Sequence, residues 1–469
     1  MRRLPLFIAS VSLVCLSAPT ARASVTSDDL GPVPDAKQIA YVAMSPDCHS
    51  IAMAVRTGTG VEMRVNGKAT AAADEISSLL YSPDSRHLAY LARKDKIWIA
   101  VLDGKESAVS APPRAQLVFS GDGNHLMYIT TTAAGQALVV DGAIQKVYSQ
   151  VAQLAVGPAG FHYAYAVFGD NDQWEVVHDG AATAHGYSSV RQIRLSHDGQ
   201  HAAFIGCRVN GDYMVERDGA VYGPYYEVTS APALSPEGKH LAFGAYQLAP
   251  GAPLDVRGFP ELDAYRVVDG DAVKSAVTTT QILYSADGKH TLNVMLDDRL
   301  MHAVEMSLID GRVVSGEGVS QDITMSPDGT RIACAGEGQI VVNHKTTGDL
   351  AGVGPPLFSP DSQHLAYAVA RGTLKDWYAH NKDWYMNADG DSLPGSLVIP
   401  TADLENGEWH PNTKVTDQLS FDNGHSYNGQ IPYHFDPDGT LVYFRIADGH
   451  LYRVDWKPDD ATTLPATRP

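Results

Sequence analysis

Short apolar runs alternate along the whole chain with polar clusters rich in Ser, Pro, Asp and Gly. The runs are too short, and too closely flanked by turn residues, to be helices; they predict strands joined by tight turns. The spacing is regular. SPDCHSIAM begins at Ser45, SPDSRHLAY at Ser82, SGDGNHLMY at Ser120 and a degraded GPAGFHYAY at Gly157. SHDGQHAAF follows at Ser196, SPEGKHLAF at Ser235, SADGKHTLN at Ser285, SPDGTRIAC at Ser326, SPDSQHLAY at Ser359 and DPDGTLVYF at Asp436. Successive starts lie 37, 38, 37, 39, 39, 50, 41, 33 and 77 residues apart.

A second marker, an apolar run ending in Asp-Gly, follows most copies: Asp103-Gly104, Asp141-Gly142, Asp179-Gly180, Asp218-Gly219, Asp269-Gly270 and Asp310-Gly311. The first copy has Asn66-Gly67 instead. In the first five copies the marker falls 21 or 22 residues after the start, so each period holds two tight turns at fixed offsets. Pro presets φ, Asp bonds its own downstream backbone and Gly accepts the left-handed position. The strand after the first turn, such as His87–Ala92, is apolar at nearly every position, as a strand covered on both faces requires. Four short strands in a period of roughly 40 residues predict an all-β fold, a β-propeller of about ten blade-like repeats. Ten copies fit one large ring, two smaller ones, or eight good blades with decayed copies; the absence of a Pro/Ser-rich linker favours one continuous array.

The Ser-Pro-Asp-Gly turn followed by a basic residue or His and Leu-Ala-Tyr resembles the TolB-type, WD-like propeller repeat of bacteria, over about residues 38–460. That resemblance implies the propeller fold. It leaves function open, because the repeat serves periplasmic adaptors, peptidase gating domains and some polysaccharide lyases.

Outside the repeats, residues 1–23 read as a secretory signal: Arg2 and Arg3, an apolar run from Leu4 to Leu16, and Ala21-Arg22-Ala23 before a mature start near Ser24. The expected organisation is then an N-terminal segment 24–37, repeats 38–460 and a tail 461–469, in a periplasmic or secreted monomer. No later run is long and apolar enough to span a bilayer. With 35 basic and 54 acidic side chains the net charge is −19, which opposes binding to nucleic acid or anionic lipid. The cysteines left after cleavage, Cys48, Cys207 and Cys334, are odd in number and far apart; they form no disulfide framework or zinc pattern.

Seven histidines (His87, His125, His162, His201, His240, His290, His364) stand five residues after their repeat start, where Arg331 stands in another copy. A place that accepts His or Arg on separate blades is a structural turn position. The repeat itself is broken twice, near 248–262 and across 391–430. Breaks map to loops, where binding concentrates. The second follows KDWYAHNKDWYM, and four of the six tryptophans fall between 377 and 456. Trp377, Tyr378, Trp409, His410 and His425 are the candidate partner-binding residues, because Trp and Tyr beside polar groups anchor protein interfaces or stack on sugars.

Catalytic patterns are missing. His380, His410, His425, His434 and His450 lack HExxH or paired-Cys spacing, so no metal or cofactor is expected. Asn387, Asp389 and Asp391 lack the glycine and closing Glu of a calcium loop and read as a turn. Gly424–Asn428 lacks the last glycine of a nucleophile elbow. The leading expectation is an exported, non-enzymatic propeller binding a protein or cell-envelope component. The alternative is a metal-dependent polysaccharide lyase or another carbohydrate-active propeller enzyme, whose histidines and carboxylates would have to converge on one point.

Overall fold

The computed structural model describes residues 24–457 apart from 35–37, 112–115, 170–171, 184–185, 250, 252–260, 298–303, 311, 317–321, 337–338, 343–344, 347–353, 371–383, 389–390, 393–395 and 398–432. The described residues form ten antiparallel sheets, eight of four strands and two of five. We number them as blades 1 to 10: residues 39–73, 75–110, 118–148, 150–182, 189–225, 227–275, 278–316, 322–346, 357–392 and, for the last, 396–457 together with 24–32. Within blades 1 to 9 the strands pair in chain order, except that in blade 6 Glu227–Val228 and Ala233–Leu234 both pair with Leu241–Leu248.

Burial grades across each blade. The second strand is the core: Ile51–Thr57 buries its first five residues and Ala202–Cys207 likewise. The fourth strand is the rim: in Ala143–Tyr148 only the last residue escapes full exposure. This is why the second strand is apolar throughout and does not alternate, since its side chains pack on sheets to either side.

Ten apolar clusters lie between the blades, and each joins two neighbours. Ile76 and Tyr90 of blade 2 pack with Ala52 and Met63 of blade 1, Phe243 of blade 6 with Ile205 of blade 5, and Tyr443 of blade 10 with Ala366 of blade 9. The cycle closes where Val442 and Phe444 of blade 10 meet Ile39, Met44 and Met53 of blade 1. The propeller is therefore one ring.

The closing strand comes from the chain's beginning. Ser24–Pro32 pairs antiparallel with His450–Lys457, from Ser24 opposite Lys457 to Pro32 opposite His450. The hydrophobic pattern places this segment outside the repeats, because SVTSDDLGP has no apolar alternation; all but two of its residues are exposed. It belongs to the sheet through its backbone, and Leu30 anchors it on the seam cluster.

The 77-residue interval, which is long enough for two blades, holds the last three strands of blade 9 and the start of blade 10. The innermost strand of blade 10 is split into Ser396–Leu397 and Tyr433–Phe435, both paired with Leu441–Ala447. The intervening residues interrupt that strand between the levels of Arg445 and Tyr443.

Candidate functional site

Strand order gives the ring two unlike faces. The turns after the first and third strands of a blade share one face; the hairpins between second and third strands share the other.

The turn face is built by the repeat. The third residue after each start has positive φ in all ten copies, from 53° at Cys48 to 81° at Gly439. Seven of these residues are glycine; Cys48, Ser85 and Ser362 are the others. In the same turn the Ser hydroxyl donates to the Asp two residues on, as Ser82 Oγ does to Asp84 at 2.5 Å, and accepts the amide five residues on, His87 N at 2.9 Å. The Asp-Gly marker then takes φ of about 50° and 80°, the two-residue hairpin turn that matches strand twist (Asp103 48°, Gly104 79°).

The repeated histidine and the marker aspartate bond each other. Nδ1 of His87, His125, His162, His201, His240 and His290 lies 2.6–2.8 Å from the carboxylate of Asp103, Asp141, Asp179, Asp218, Asp269 and Asp310. The other carboxylate oxygen accepts the next backbone amide, such as Leu88 N at 2.9 Å. An ionised carboxylate only accepts, so Nδ1 carries the proton. The pairing explains a substitution in the sequence: Ser50 takes the histidine place in copy 1, and the marker is Asn66, whose Oδ1 still accepts Ile51 N at 2.9 Å. Three of the rings also lie against the next blade, where a Cβ on Gly199, Gly238 or Gly329 would overlap His162, His201 or His290. These histidines tie turns together and hold neighbouring blades apart. They do not converge.

The last copy departs from this pattern. Asp436 replaces the serine, and its turn is one residue shorter, with Asp436 N bonding Thr440 O at 2.8 Å. At the seam, Asp436 lies 4.0 Å from both His49 Nε2 and His434 Nε2, and His49 Nδ1 is 2.7 Å from the carbonyl oxygen of Asp47. Burial holds His434 below its usual value against the pull of Asp436 and Asp47. Burial also raises Asp436, against His49 and His434. The adjacent Cys48 thiol is buried and pushed far up, first by desolvation and then by Asp47 and Asp436, so it is not a nucleophile.

Tyr187 donates at 2.6 Å to the fully buried Glu216, a phenol–carboxylate contact sealed between blades 4 and 5. Cys48, Cys207 and Cys334 are free thiols. Among the described residues no group of three or more His, Cys, Asp or Glu is placed to hold a metal ion, and no helix is long and apolar enough to cross a membrane. Asn387 pairs with Ser392 and Ala388 with Asp391, between the third and fourth strands of blade 9.

Trp377, Tyr378, Trp409, His410 and His425 lie outside the described residues. So does His380. The two described members of the histidine group are apart: His434 pairs opposite Val442 toward the turn face, whereas His450 sits at the hairpin end, its Nδ1 2.9 Å from Asp29. The points of departure of the breaks are described. Leu248 and Leu262, and Ala370 and Trp384, are the ends of second and third strands at the hairpin face, and Leu397 and Tyr433 are the flanking residues in the split innermost strand of blade 10.

No family model matches the chain, and no curated protein matches it. Among solved structures it is similar to Kuenenia stuttgartiensis hydrazine synthase (14% identity, covering 66% of this chain and 96% of that one, TM-score 0.29). It is also similar to TolB from Acinetobacter baumannii (16%, 56% and 65%, TM-score 0.25) and to Porphyromonas gingivalis dipeptidyl peptidase 4 (10%, 80% and 58%, TM-score 0.40).

Proposed function

We propose that this chain is an exported, non-enzymatic propeller scaffold that binds a protein or cell-envelope partner through the hairpin face of the ring. The observation that carries this reading is the placement of the breaks. The turn face is committed to the Ser–Asp–His network, while two long departures from the repeat open on the hairpin face and the third leaves a channel-lining strand. Loops carried on a rigid scaffold are where recognition concentrates. Trp377, Tyr378, Trp409, His410 and His425 lie within these departures and supply the anchors. The separation of His434 from His450 speaks against a histidine-ligated lyase centre built from that group.

The test is a crosslinking pull-down from native envelope extract, comparing the mature chain with a Trp377→Ala/Trp409→Ala variant. The reading expects a partner captured by the first and lost by the second. Identical captures, or none, would overturn it and direct attention to activity on a polysaccharide panel.

A further inference from the structure

We propose that the channel wall of blades 3, 4, 5 and 7 carries a ladder of glutamine carboxamides that binds an extended polypeptide segment through its main chain. The proposal rests on the partner-binding reading and adds a second, internal site and the class of its occupant.

Four residues before their repeat starts, four copies carry the same doublet: Gln116-Leu117, Gln153-Leu154, Gln192-Ile193 and Gln281-Ile282. The apolar member serves the fold, since Leu117, Ile193 and Ile282 are buried. The glutamine does not. It stands on or at the start of the innermost strand, where Gln116, Gln153 and Gln192 are exposed. The free side of an innermost strand is the channel. Among the described residues none of the four carboxamides has a hydrogen-bond partner.

The backbone makes the choice of residue more telling. Ala152 pairs with Ala166 and Ala155 with Ala164, which leaves Gln153 and Leu154 bulged opposite Tyr165. Gln192 and Ile193 bulge in the same way opposite Phe204. Gln153 has φ of 56° and Gln192 of 55°, and Ser78 holds the same place in blade 2 with 52°. Left-handed backbone favours Gly and, after it, Asn or Asp. A long, exposed side chain held there, with no hydrogen-bond partner among the described residues, answers to a requirement other than folding.

A carboxamide presents an N–H and a C=O side by side, the complement of a peptide unit, so it pairs with main chain whatever the side chains. Repetition on neighbouring blades suits a chain that runs around the wall. The four innermost strands offer no exposed aromatic ring on which a sugar would stack, because Phe119 and Tyr284 are buried.

The experiment is fluorescence anisotropy on the full mature chain, using a labelled pool of neutral, unstructured peptides about 12 residues long, with labelled maltoheptaose as the second probe. The variant is Gln116→Ser/Gln153→Gly/Gln192→Gly. Peptide affinity should fall about tenfold or more. The unfolding midpoint should hold, because glycine relieves the left-handed strain it inherits while adding chain entropy. Unchanged affinity, no peptide binding by the parent chain, preference for the oligosaccharide, or a lowered midpoint would each overturn the proposal. None of these outcomes alters the pull-down with the Trp377→Ala/Trp409→Ala variant, so the two readings fail separately.

Discussion

Glycine with positive φ in these two kinds of turn, the Asp-Gly marker and the third position after a repeat start, does two things, and they separate by mutation. Gly104 has φ of 79° with open space where a Cβ would stand, whereas Gly238 has φ of 67° and lies directly against the His201 ring. Gly104→Ala should cost about 1 kcal/mol, from backbone conformation alone. Gly238→Ala should cost about 2–3 kcal/mol, because the His201 ring must also move. Urea unfolding of the two variants measures the difference. Chemical pairing makes a second residue-scale prediction. Asp218→Asn should lose about 1 kcal/mol with its bond to half-exposed His201, while Asn66→Asp should gain nothing, since Ser50 offers no imidazole. Equal effects in both blades would show that the marker residue serves the turn and not the histidine. At this scale the sequence was legible wherever the physics is local: Asp-Gly and Ser-Pro-Asp-Gly set φ within four residues. The glutamine doublets were present in the sequence too. Their meaning needed the register, because a bulge on an innermost strand leaves no mark in hydrophobic pattern.

Among the elements, the junction of blades 1 and 10 differs from the other nine. Each of those joins consecutive blades of the chain; this one joins its two ends, and it holds Asp436 between His49 and His434. His434 is held below its usual value of 6.5 by burial, so the unfolded chain takes up its proton first as pH falls. Its contribution is fully present above pH 6.5 and is lost as pH falls from there through the folded value. Asp436, raised by burial, works in the opposite sense: its contribution is present below its unfolded value of 3.8 and is lost as pH rises through the folded value. As pH falls from neutral through 6.5 the histidine contribution is lost, and replacing His434 by Gln should flatten the fall of the urea midpoint there. A variant with the parent's full slope would place the sensitivity elsewhere. The seam was the least legible element. A strand of mainly exposed polar residues, paired with a partner more than 400 positions away, leaves no periodic signal of its own.

On the scale of the molecule, ten periods were legible because each repeats the same two turns, and four strands to a period follow from turn spacing. Ring number was not. Whether ten blades close once or twice depends on which sheets share a core, and that became visible only in the cycle of clusters from blade 1 round to blade 10. The interval from Ser359 to Asp436 was ambiguous for a related reason, since length alone does not separate an extra blade from an insertion within a strand. The account as a whole depends on a single ring closed by the N-terminal strand, and the register of that strand offers a direct test. Thr26 pairs opposite Asp455, both away from the seam core. Paired cross-strand positions lie within reach of a disulfide. In a Cys207→Ser background, a Thr26→Cys/Asp455→Cys chain should form an intramolecular bridge under mild oxidation. It should remain monomeric by light scattering and gain about 4–5 kcal/mol against unfolding, reversibly on reduction. Failure to bridge, or bridging only between chains, would contradict the closed ten-bladed ring.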